Sequence, residues 1–235
     1  MASLWKRIEH QRIKPALRRL RPYRTARFAG VGVSYKPHLD GGGSTFGQEF
    51  IPVLRTRGMP TQQRAYEWCA GPGFIGFSLL AHRLTETLCL ADVNPEAVAA
   101  CRRTVAENAL ADRVSVYQSN NLADIPASER WDLVVSNPPH FDDGSPGQLR
   151  YHDPEWSIHR AFFAAVAAHL KPGGVIVLQE NNIGSTADTF AAMIAQAGLT
   201  TVFVQGCAPQ RTIEDRFYYI GIMRAGDRPP AWARA

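Results

Sequence analysis

The chain has 235 residues, of which 45% are hydrophobic and 20% charged, and its net charge is +5. These values predict one α/β domain with an extension and a sizeable core. No apolar run approaches a membrane span, and no apolar core follows the charges of Met1–Lys6. We therefore expect no membrane span, no signal peptide and a cytoplasmic location.

The four cysteines do not suggest a disulfide framework or a metal site. Cys69, Cys89, Cys101 and Cys207 make no CxxC pair, and no Cys/His cluster has the spacing of a zinc site. We expect buried, reduced thiols and no metal.

Positive charge is concentrated near the N-terminus. Lys6–Arg27 carries nine basic residues and one acid, Glu9, so the remainder of the chain is net negative. Trp5 and Tyr23 lie among these charges, and such a composition suits a phosphate backbone with unpaired bases. The arm is therefore a candidate RNA contact. The alternatives are a solvated arm, an arm packed on the acidic domain of the same chain, and an arm bound to an anionic membrane surface.

Strands and helices are predicted to alternate after an extended lead-in at Gly30–Asp40. The predicted strands are Ala65–Cys69, Leu88–Asp92, Val114–Gln118, Trp131–Ser136, Val175–Gln179, Thr201–Gln205 and Phe217–Met223; the main helices are Ile75–Arg83, Pro95–Asn108, Pro154–Leu170 and Ala187–Ala197. This order predicts a Rossmann-like, doubly wound, mostly parallel seven-stranded sheet. The last connection, Gly206–Arg216, is too short for a helical crossover, so one strand should be antiparallel. We expect an arm and lead-in at 1–44, the domain at 45–225 and a loose tail at 226–235.

A glycine-rich turn follows the first predicted strand of the domain. Tyr66–Gly76 (YEWCAGPGFIG) has the strand–loop–helix pattern of a nucleotide site, where glycines let a ligand approach the backbone. The spacing of Gly71, Gly73 and Gly76 would also fit a dinucleotide site. Glu67, near the mouth, would repel a pyrophosphate. S-adenosylmethionine (SAM) has no phosphate and carries an ammonium and a sulfonium, so the acid favours SAM.

In this order, Thr45–Arg224 resembles the class I SAM-dependent methyltransferases, whose seven-stranded sheet has its last strand reversed. The resemblance implies that Asp92 binds the ribose hydroxyls of SAM, since a carboxylate accepts two hydrogen bonds. It places Asn120 and Asn121 where the family often has an acid that reads the adenine amine. The full set of implied cofactor residues is Glu67, Ala70, Gly71, Gly73, Asp92, Val93, Asn120, Asn121 and Asn137.

Ser136–His140 (SNPPH) resembles the NPPY/NPPF motif of methyltransferases that act on nitrogen conjugated to a planar π-system. The small-domain methyltransferase group carries this motif and includes ribosomal RNA guanine, protein glutamine and tRNA adenine enzymes. The chain departs from it at His140, where an aromatic residue is usual, and Phe141 follows directly. Either ring could stack on the substrate.

The motif suggests how a poor nucleophile would be activated. The implied catalytic residues are Asn137, Pro138, Pro139 and His140. The Asn137 side-chain oxygen and the Pro138 backbone oxygen would accept hydrogen bonds from the N–H groups of the substrate and so favour tetrahedral geometry at its nitrogen. The two prolines stiffen the loop that carries these acceptors.

Five residues in or near this motif have open roles. His140 could be a general base instead of a stacking platform, because its unperturbed pKa is about 6.5. Phe141, His152 and Glu180 are, with His140, candidates for the substrate wall, and a polar loop at residues 179–182 is an equal alternative for Glu180. His159 lies in a helical pattern, which favours a structural role over contact with substrate.

The methyl acceptor is left open by the sequence. RNA is favoured slightly by the arm at residues 6–27, and a glutamine of a ribosomal or translation-factor protein follows closely; a small heteroaromatic amine or amide is a further alternative. Two functions of other classes are an NAD-dependent oxidoreductase and a catalytically silent RNA- or ribosome-binding module.

Overall fold

The computed structural model describes residues 22–142, 152–206 and 217–234. Most of the basic arm at residues 6–27 therefore lies outside the described residues, as does Cys207. Nine strands are present within these ranges: β1 (Arg24–Phe28), β2 (Val31–Tyr35), β3 (Gln62–Glu67), β4 (Thr85–Asp92), β5 (Val114–Gln118), β6 (Trp131–Ser136), β7 (Leu170–Asn181), β8 (Leu199–Gly206) and β9 (Phe217–Arg224).

Six α-helices lie between these strands in the described part of the chain. They are α1 (Gly43–Phe46), α2 (Phe50–Thr56), α3 (Phe74–Ala81), α4 (Pro95–Glu107), α5 (Ser157–Val166) and α6 (Ala187–Gln196). Local sequence explains where the longer helices begin. Asn94 caps α4 by accepting a hydrogen bond from the Glu96 N–H, with Pro95 in the first turn. Thr186 and Thr189 form a reciprocal capping box at the start of α6.

Seven strands form one sheet in the order β5-β4-β3-β6-β7-β9-β8, and β1 and β2 form a separate antiparallel hairpin. All neighbours in the large sheet are parallel except for β9, which is antiparallel to both β7 and β8. This confirms the predicted seven-stranded Rossmann-like fold with one reversed strand. The antiparallel pairing of β8 and β9 agrees with the prediction that the short connection between them cannot form a parallel crossover.

Alternate residues of the central strands feed two hydrophobic cores. Ala65 and Leu133 point to one core, with helices α2 and α3 and the β1–β2 hairpin. Tyr66 and Val134 point to the other, which contains the aromatic residues of α5 and α6. Helices on both faces leave the carboxyl ends of the parallel strands open at one edge of the sheet.

The N-terminal lead-in is more ordered than expected. The prediction was a basic arm to residue 29 followed by an extended segment; instead, residues 24–35 form the β1–β2 hairpin, with Phe28 and Val33 buried. Its backbone is tied to α4 through the Ser34 N–H, which donates to Thr104 Oγ1 at 2.9 Å. Strand β1 has a charged sequence with a single buried side chain, so it contains no hydrophobic pattern that would predict its packing on the domain.

The helix predicted to end at Leu170 ends earlier. Helix α5 stops at Val166 and continues as a short 3₁₀ turn at Ala167–His169, and Leu170 already pairs with Trp131 in the sheet. The Pro172–Gly174 segment, predicted as a helix stop, lies inside β7 where the pairing with β6 is irregular.

The C-terminal segment also packs on the domain instead of forming a loose tail. Trp232 is buried in the first core, and its carbonyl oxygen accepts a hydrogen bond from Arg57 Nε at 2.9 Å. The domain limits at 45 and 225 remain a prediction. Among the described residues, no helix combines the length and hydrophobicity that crossing a membrane would require.

Candidate active site

The loops after β3, β4 and β6 are joined to one another at the carboxyl edge of the sheet. The Trp68 N–H donates to the Val135 carbonyl, and the Ala70 N–H donates to the Ala91 carbonyl, each at 3.0 Å. Ser136 Oγ donates to the Trp68 carbonyl at 2.6 Å. These bonds bring the glycine loop, Asp92 and the SNPPH segment to the same place, which is where doubly wound folds bind their ligands.

Positions 71 and 73 of the glycine loop favour glycine for different structural reasons. Both have positive φ, at 53° and 82°. A Cβ built on Gly73 would lie 2.8 Å from the Phe77 ring of α3 and 3.1 Å from Leu90 Cδ1 of β4, so this glycine allows the start of α3 to pack close to the sheet. A Cβ built on Gly71 would meet no described atom within 4 Å, so its surface faces open space in which a ligand would fit.

Glu67 lies beneath the glycine loop and not at its mouth, which corrects the prediction. Its Oε2 accepts a hydrogen bond from the Gly76 N–H at 2.6 Å, and its Oε1 accepts one from the Ile75 N–H at 3.3 Å. The side chain is 2% exposed. Burial raises the pKa of Glu67 to about 8, although these two hydrogen bonds oppose the rise. Glu67 therefore ties the end of β3 to the first turn of α3.

Asp92 is oriented by backbone groups on both sides. Its Oδ2 accepts from the Gly71 N–H at 2.7 Å, and its Oδ1 accepts from the Asn94 N–H at 2.8 Å. Burial raises the pKa of Asp92, while these bonds lower it. Because a carboxylate has about four acceptor positions, two remain for a ligand. Val93, beside it, is 63% exposed and offers an apolar surface at the same edge.

The two asparagines after β5 differ in their surroundings. Asn121 has a φ of 53°, and its Oδ1 accepts a hydrogen bond from Trp68 Nε1 at 2.8 Å. Trp68 in turn stacks on Phe162 with ring centroids 3.8 Å apart. Asn121 therefore anchors the loop through a buried tryptophan, whereas Asn120 is exposed and better placed to read a ligand.

The SNPPH segment forms a stiff loop directly after β6. Ser136, Pro138 and Pro139 are buried, while Asn137 is half-buried between them. The Asn137 side chain has no hydrogen-bond partner within the described ranges. Since proline fixes its own φ, the two prolines hold the backbone on the carboxyl side of Asn137 in one conformation.

His140 and Phe141 are both at the site, in different environments. The His140 ring lies 6.0 Å from the Phe217 ring and 6.4 Å from the Phe141 ring. Phe141 forms an isolated bridge with His152, and their rings are 5.8 Å apart. The three predicted substrate-wall residues His140, Phe141 and His152 thus form one continuous group. The connection between them, at 143–151, lies outside the described residues.

Glu180, the fourth predicted wall residue, is fully buried behind His140. Its Oε2 is 3.4 Å from His140 Nδ1, and its Oε1 is 3.1 Å from His159 Nε2. His159 is fully buried, as its helical pattern suggested. Glu180 therefore contacts His140 from behind and forms no exposed wall.

Asp153 was missed by sequence reasoning. Its Oδ2 lies 2.6 Å from His159 Nδ1, and its Oδ1 accepts a hydrogen bond from the Ile158 N–H at 2.7 Å. An acid just before a helix is a known start signal, and that signal could have identified Asp153 as a cap of α5. The contact with His159 had no local signature.

The cysteines and candidate metal ligands form no cluster in the part of the chain that is described. No group of three or more His, Cys, Asp or Glu residues there could hold a metal ion. Cys89 and Cys101 are buried free thiols, as expected, whereas Cys69 is only partly buried.

Comparison with known proteins agrees with this arrangement. Residues 32–201 match the model of the methyltransferase small domain family. A ribosomal RNA small subunit methyltransferase C of Shewanella sp. strain MR-4 is 32% identical over 71% of this chain and 43% of its own length. A ribosomal protein uL3 glutamine methyltransferase of Bordetella pertussis is 31% identical over 55% of this chain and 46% of its own length. The chain spans less than half the length of these relatives.

Solved structures share the fold at low sequence identity. A T. thermophilus 16S rRNA N2 methyltransferase, solved with AdoMet and guanosine, superposes with a TM-score of 0.56 at 18% identity, over 86% of this chain and 50% of the other. A ribosomal protein methylase of Lactobacillus delbrueckii superposes with a TM-score of 0.53 at 15% identity, over 74% and 76% of the two chains. With the family model matching most of its length, the chain belongs to the methyltransferase small domain family.

Proposed function

We propose that the protein is a SAM-dependent methyltransferase that modifies a nitrogen conjugated to a planar group. The observation that carries the proposal is the state of Asn137. Its amide is half-buried at the carboxyl end of a central strand and makes no hydrogen bond to a described residue. An amide side chain on a stiff loop at a ligand-binding edge, with no hydrogen bond to a described residue, is suited to accept a hydrogen bond from substrate.

The residues at this edge fit the cofactor. The surface of Gly71 faces open space, the Asp92 carboxylate keeps two acceptor positions for ribose hydroxyls, and exposed Val93 offers an apolar surface to a purine. When bound, SAM supplies a methyl group on a sulfonium. Glu67 acts on this site indirectly, by holding the loop that carries Gly71 against the start of α3.

The chain would activate the acceptor nitrogen through two oxygens. The Asn137 side-chain oxygen and the Pro138 backbone oxygen accept hydrogen bonds from the N–H groups, which returns electron density to nitrogen. The buried prolines fix the backbone that carries both oxygens before substrate arrives, so little backbone reorganisation is needed as charge develops. The ring of Phe141 or His140 packs against the planar group and orients it.

The acceptor is best supported as an RNA base amine or a glutamine amide of a ribosomal or translation-factor protein. The relatives include a ribosomal RNA methyltransferase and a ribosomal protein glutamine methyltransferase. Both acceptors offer the same chemistry, an N–H nitrogen on a planar group. The basic arm at residues 6–27 favours RNA slightly, because it would contribute phosphate contacts.

An Asn137→Ala variant tests this function. Asn137 is also one of the implied cofactor residues, but the contacts proposed for Gly71 and Asp92 remain, so affinity for S-adenosylhomocysteine, measured by calorimetry, should fall far less than methyl transfer does. Methyl transfer should fall about 100-fold, the order of loss when one group that stabilises developing charge is removed. Asn108→Ala is a matched control, since Asn108 bonds Gly32 far from this edge and its loss should cost stability alone.

Three outcomes would contradict the proposal. Undiminished transfer by Asn137→Ala would remove Asn137 from the mechanism. Binding of NADH in place of S-adenosylhomocysteine would indicate an oxidoreductase, and RNA binding without affinity for S-adenosylhomocysteine would indicate a silent module.

A further inference from the structure

Four ionisable side chains form a continuous chain of contacts beneath the SNPPH loop. Asp153 Oδ2 contacts His159 Nδ1 at 2.6 Å, His159 Nε2 contacts Glu180 Oε1 at 3.1 Å, and Glu180 Oε2 contacts His140 Nδ1 at 3.4 Å. The side chains of Asp153, His159 and Glu180 are fully buried, whereas the His140 side chain is 12% exposed. We call these four residues the acid–histidine chain. It leads from the interior to the surface at the proposed substrate site.

The inner end of the acid–histidine chain is fixed as an ion pair. Asp153 accepts hydrogen bonds from the Ile158 and His159 N–H groups at the start of α5. Burial would raise the pKa of Asp153, but its bonds to His159 and to these amides hold it below the usual value. Burial would lower the pKa of His159, but its bonds to Asp153 and Glu180 raise it to about 9. At neutral pH, His159 is therefore a cation between two carboxylates.

This arrangement determines which nitrogen of His140 carries a proton. Burial would raise the pKa of Glu180, but its bonds with His140 and His159 lower it, so Glu180 is ionised. An ionised carboxylate can only accept a hydrogen bond, so His140 Nδ1 must be the donor. In neutral His140, the proton is then on Nδ1 and the lone pair is on Nε2, away from Glu180.

We propose that His140 is a catalytic proton acceptor and that Glu180, held by His159 and Asp153, is its positioning residue. The inference rests on the proposed function and deepens it. In the NPPY and NPPF motifs the corresponding position is an aromatic ring, which can stack but cannot take a proton. Here the ring has a buried carboxylate behind it, an arrangement that a stacking platform alone would not require.

The proposed step conserves atoms and electrons. The acceptor nitrogen uses its lone pair to form the bond to the methyl carbon, while the carbon–sulfur bond breaks and its electron pair stays on sulfur. The nitrogen then becomes cationic. Its N–H bond breaks with the electron pair returning to nitrogen, and the proton moves to His140 Nε2. Glu180 stabilises the imidazolium that results, and His140 releases the proton to water when the product leaves.

The proposal narrows the class of acceptor. A proton acceptor is useful only where the attacking nitrogen carries hydrogen, as an exocyclic base amine or a primary amide does. A pyridine-type ring nitrogen attacks through an in-plane lone pair and has no proton to release. We therefore assign the site to an N–H acceptor.

Two further titratable groups near the acid–histidine chain, a phenol and a thiol, are neutral. Tyr218, on β9, and Cys69, in the glycine loop, both lie close enough to Glu180 for its charge to raise their pKa values. Burial is the larger cause of the rise in each pKa, and it keeps the phenol and the thiol protonated. Among the described residues, Glu180 is the charged group that contacts the His140 ring directly.

Three variants separate proton transfer from stacking and from structural support. His140→Phe restores a ring that can stack but not accept a proton, Glu180→Gln removes the charge behind the ring, and Glu129→Gln is the control. Glu129 is another buried carboxylate, paired with Arg64 away from His140. Each is assayed for S-adenosylhomocysteine affinity and, across pH, for methyl transfer from labelled SAM into lysate RNA and protein.

We expect all three variants to bind S-adenosylhomocysteine as the wild type does. Transfer by His140→Phe should fall about 100-fold, within the usual contribution of a general base. Transfer by Glu180→Gln should fall about 10-fold in kcat at an unchanged KM for SAM, because the imidazolium form of His140 loses the carboxylate that stabilises it. Glu129→Gln should keep the wild-type profile. If His140→Phe transferred methyl groups at within about threefold of the wild-type rate, the loss would be smaller than that expected on removing a general base, and the proposal would be overturned.

Nitrogen-15 NMR of the histidine rings gives a second test that needs no acceptor. Neutral His140, assigned by loss of its signals in His140→Phe, should show a protonated Nδ1 and an unprotonated Nε2. The opposite tautomer would overturn the proposal whatever the enzyme methylates. A wild-type protein that binds no SAM and transfers no label would instead overturn the proposed function.

Discussion

Gly184 lies directly against the backbone of His140. A Cβ built on Gly184 would overlap the His140 carbonyl oxygen and would lie 2.8 Å from Cδ1 of the Phe141 ring. The loop after β7 therefore supports the SNPPH loop from below, at a point where only a residue without a side chain fits.

Gly184→Ala should displace this loop. We expect a loss of stability of about 1–3 kcal/mol, typical of overpacking, together with lower methyl transfer at unchanged cofactor affinity. Thermal unfolding, calorimetry and transfer assays measure the three quantities. Gly206→Ala is the matched control, because a Cβ there meets no described atom within 4 Å and no positive φ is involved. Equal transfer by both variants would show that the contact does not position the loop.

Asp92→Ala should weaken cofactor binding. The variant loses the acceptor positions proposed for the ribose and also releases the Gly71 N–H. We expect the Kd for S-adenosylhomocysteine to rise about tenfold or more, the equivalent of losing one hydrogen bond to a charged group. Asp112→Ala, an exposed acid in the turn before β5, is the control. An unchanged Kd in Asp92→Ala would exclude Asp92 from the cofactor site.

His159 should make stability depend on pH in the alkaline range. Its pKa is raised from 6.5 to about 9 on folding, so its contribution is fully present below about pH 6.5 and is lost as pH rises through 9. The shift corresponds to ~3 kcal/mol as an order of magnitude. Denaturant unfolding of the wild type should show a decline in the free energy of unfolding over this range.

A His159→Gln variant isolates this contribution. Glu67 adds a decline of the same sign up to about pH 8, because its pKa is raised above that of the unfolded chain. Glu67 is present in both proteins, so its contribution cancels when the free energy of unfolding of the variant is subtracted from that of the wild type at each pH. If the two proteins lose stability in parallel between pH 6.5 and 9, His159 is not protonated in the native state.

The position of the β1–β2 hairpin determines where the basic arm can be cut. Removing residues 1–21 leaves Phe28 and the hairpin in the chain, so the packing of the hairpin on the domain should be retained. RNA affinity should fall and its dependence on salt should flatten, since fewer phosphates are neutralised. A filter-binding series at increasing salt measures this. A salt slope equal to that of the full chain would exclude the arm as an RNA contact.

Sequence patterns predicted those elements whose cause is local. The bounds of β5 (Val114–Gln118) and β6 (Trp131–Ser136) agree with prediction because each is a short run rich in valine and aromatic residues between turn residues. The β1–β2 hairpin was missed, although β2 falls in the segment predicted to be extended, because β1 carries two arginines and buries only Phe28.

The residues of the candidate site also divide into those that a local sequence pattern identifies and those that only the tertiary packing brings together. Glycines, Asp92 and the SNPPH segment were identified from spacing, and the fold brings them to one edge. The contacts of Glu180 with His159 and of His159 with Asp153 join elements that no local pattern relates. Their burial and charge state became apparent only from the packing of α5 against β7.

Transfer of a labelled methyl group from SAM into a cell lysate, followed by separate ribonuclease and protease digestion, tests the central claim most directly. We predict label in the ribonuclease-sensitive or the protease-sensitive fraction, and its loss with Asn137→Ala. The first fraction would indicate a base amine and the second a glutamine amide. No label in any fraction, together with no binding of S-adenosylhomocysteine, would contradict the methyltransferase account.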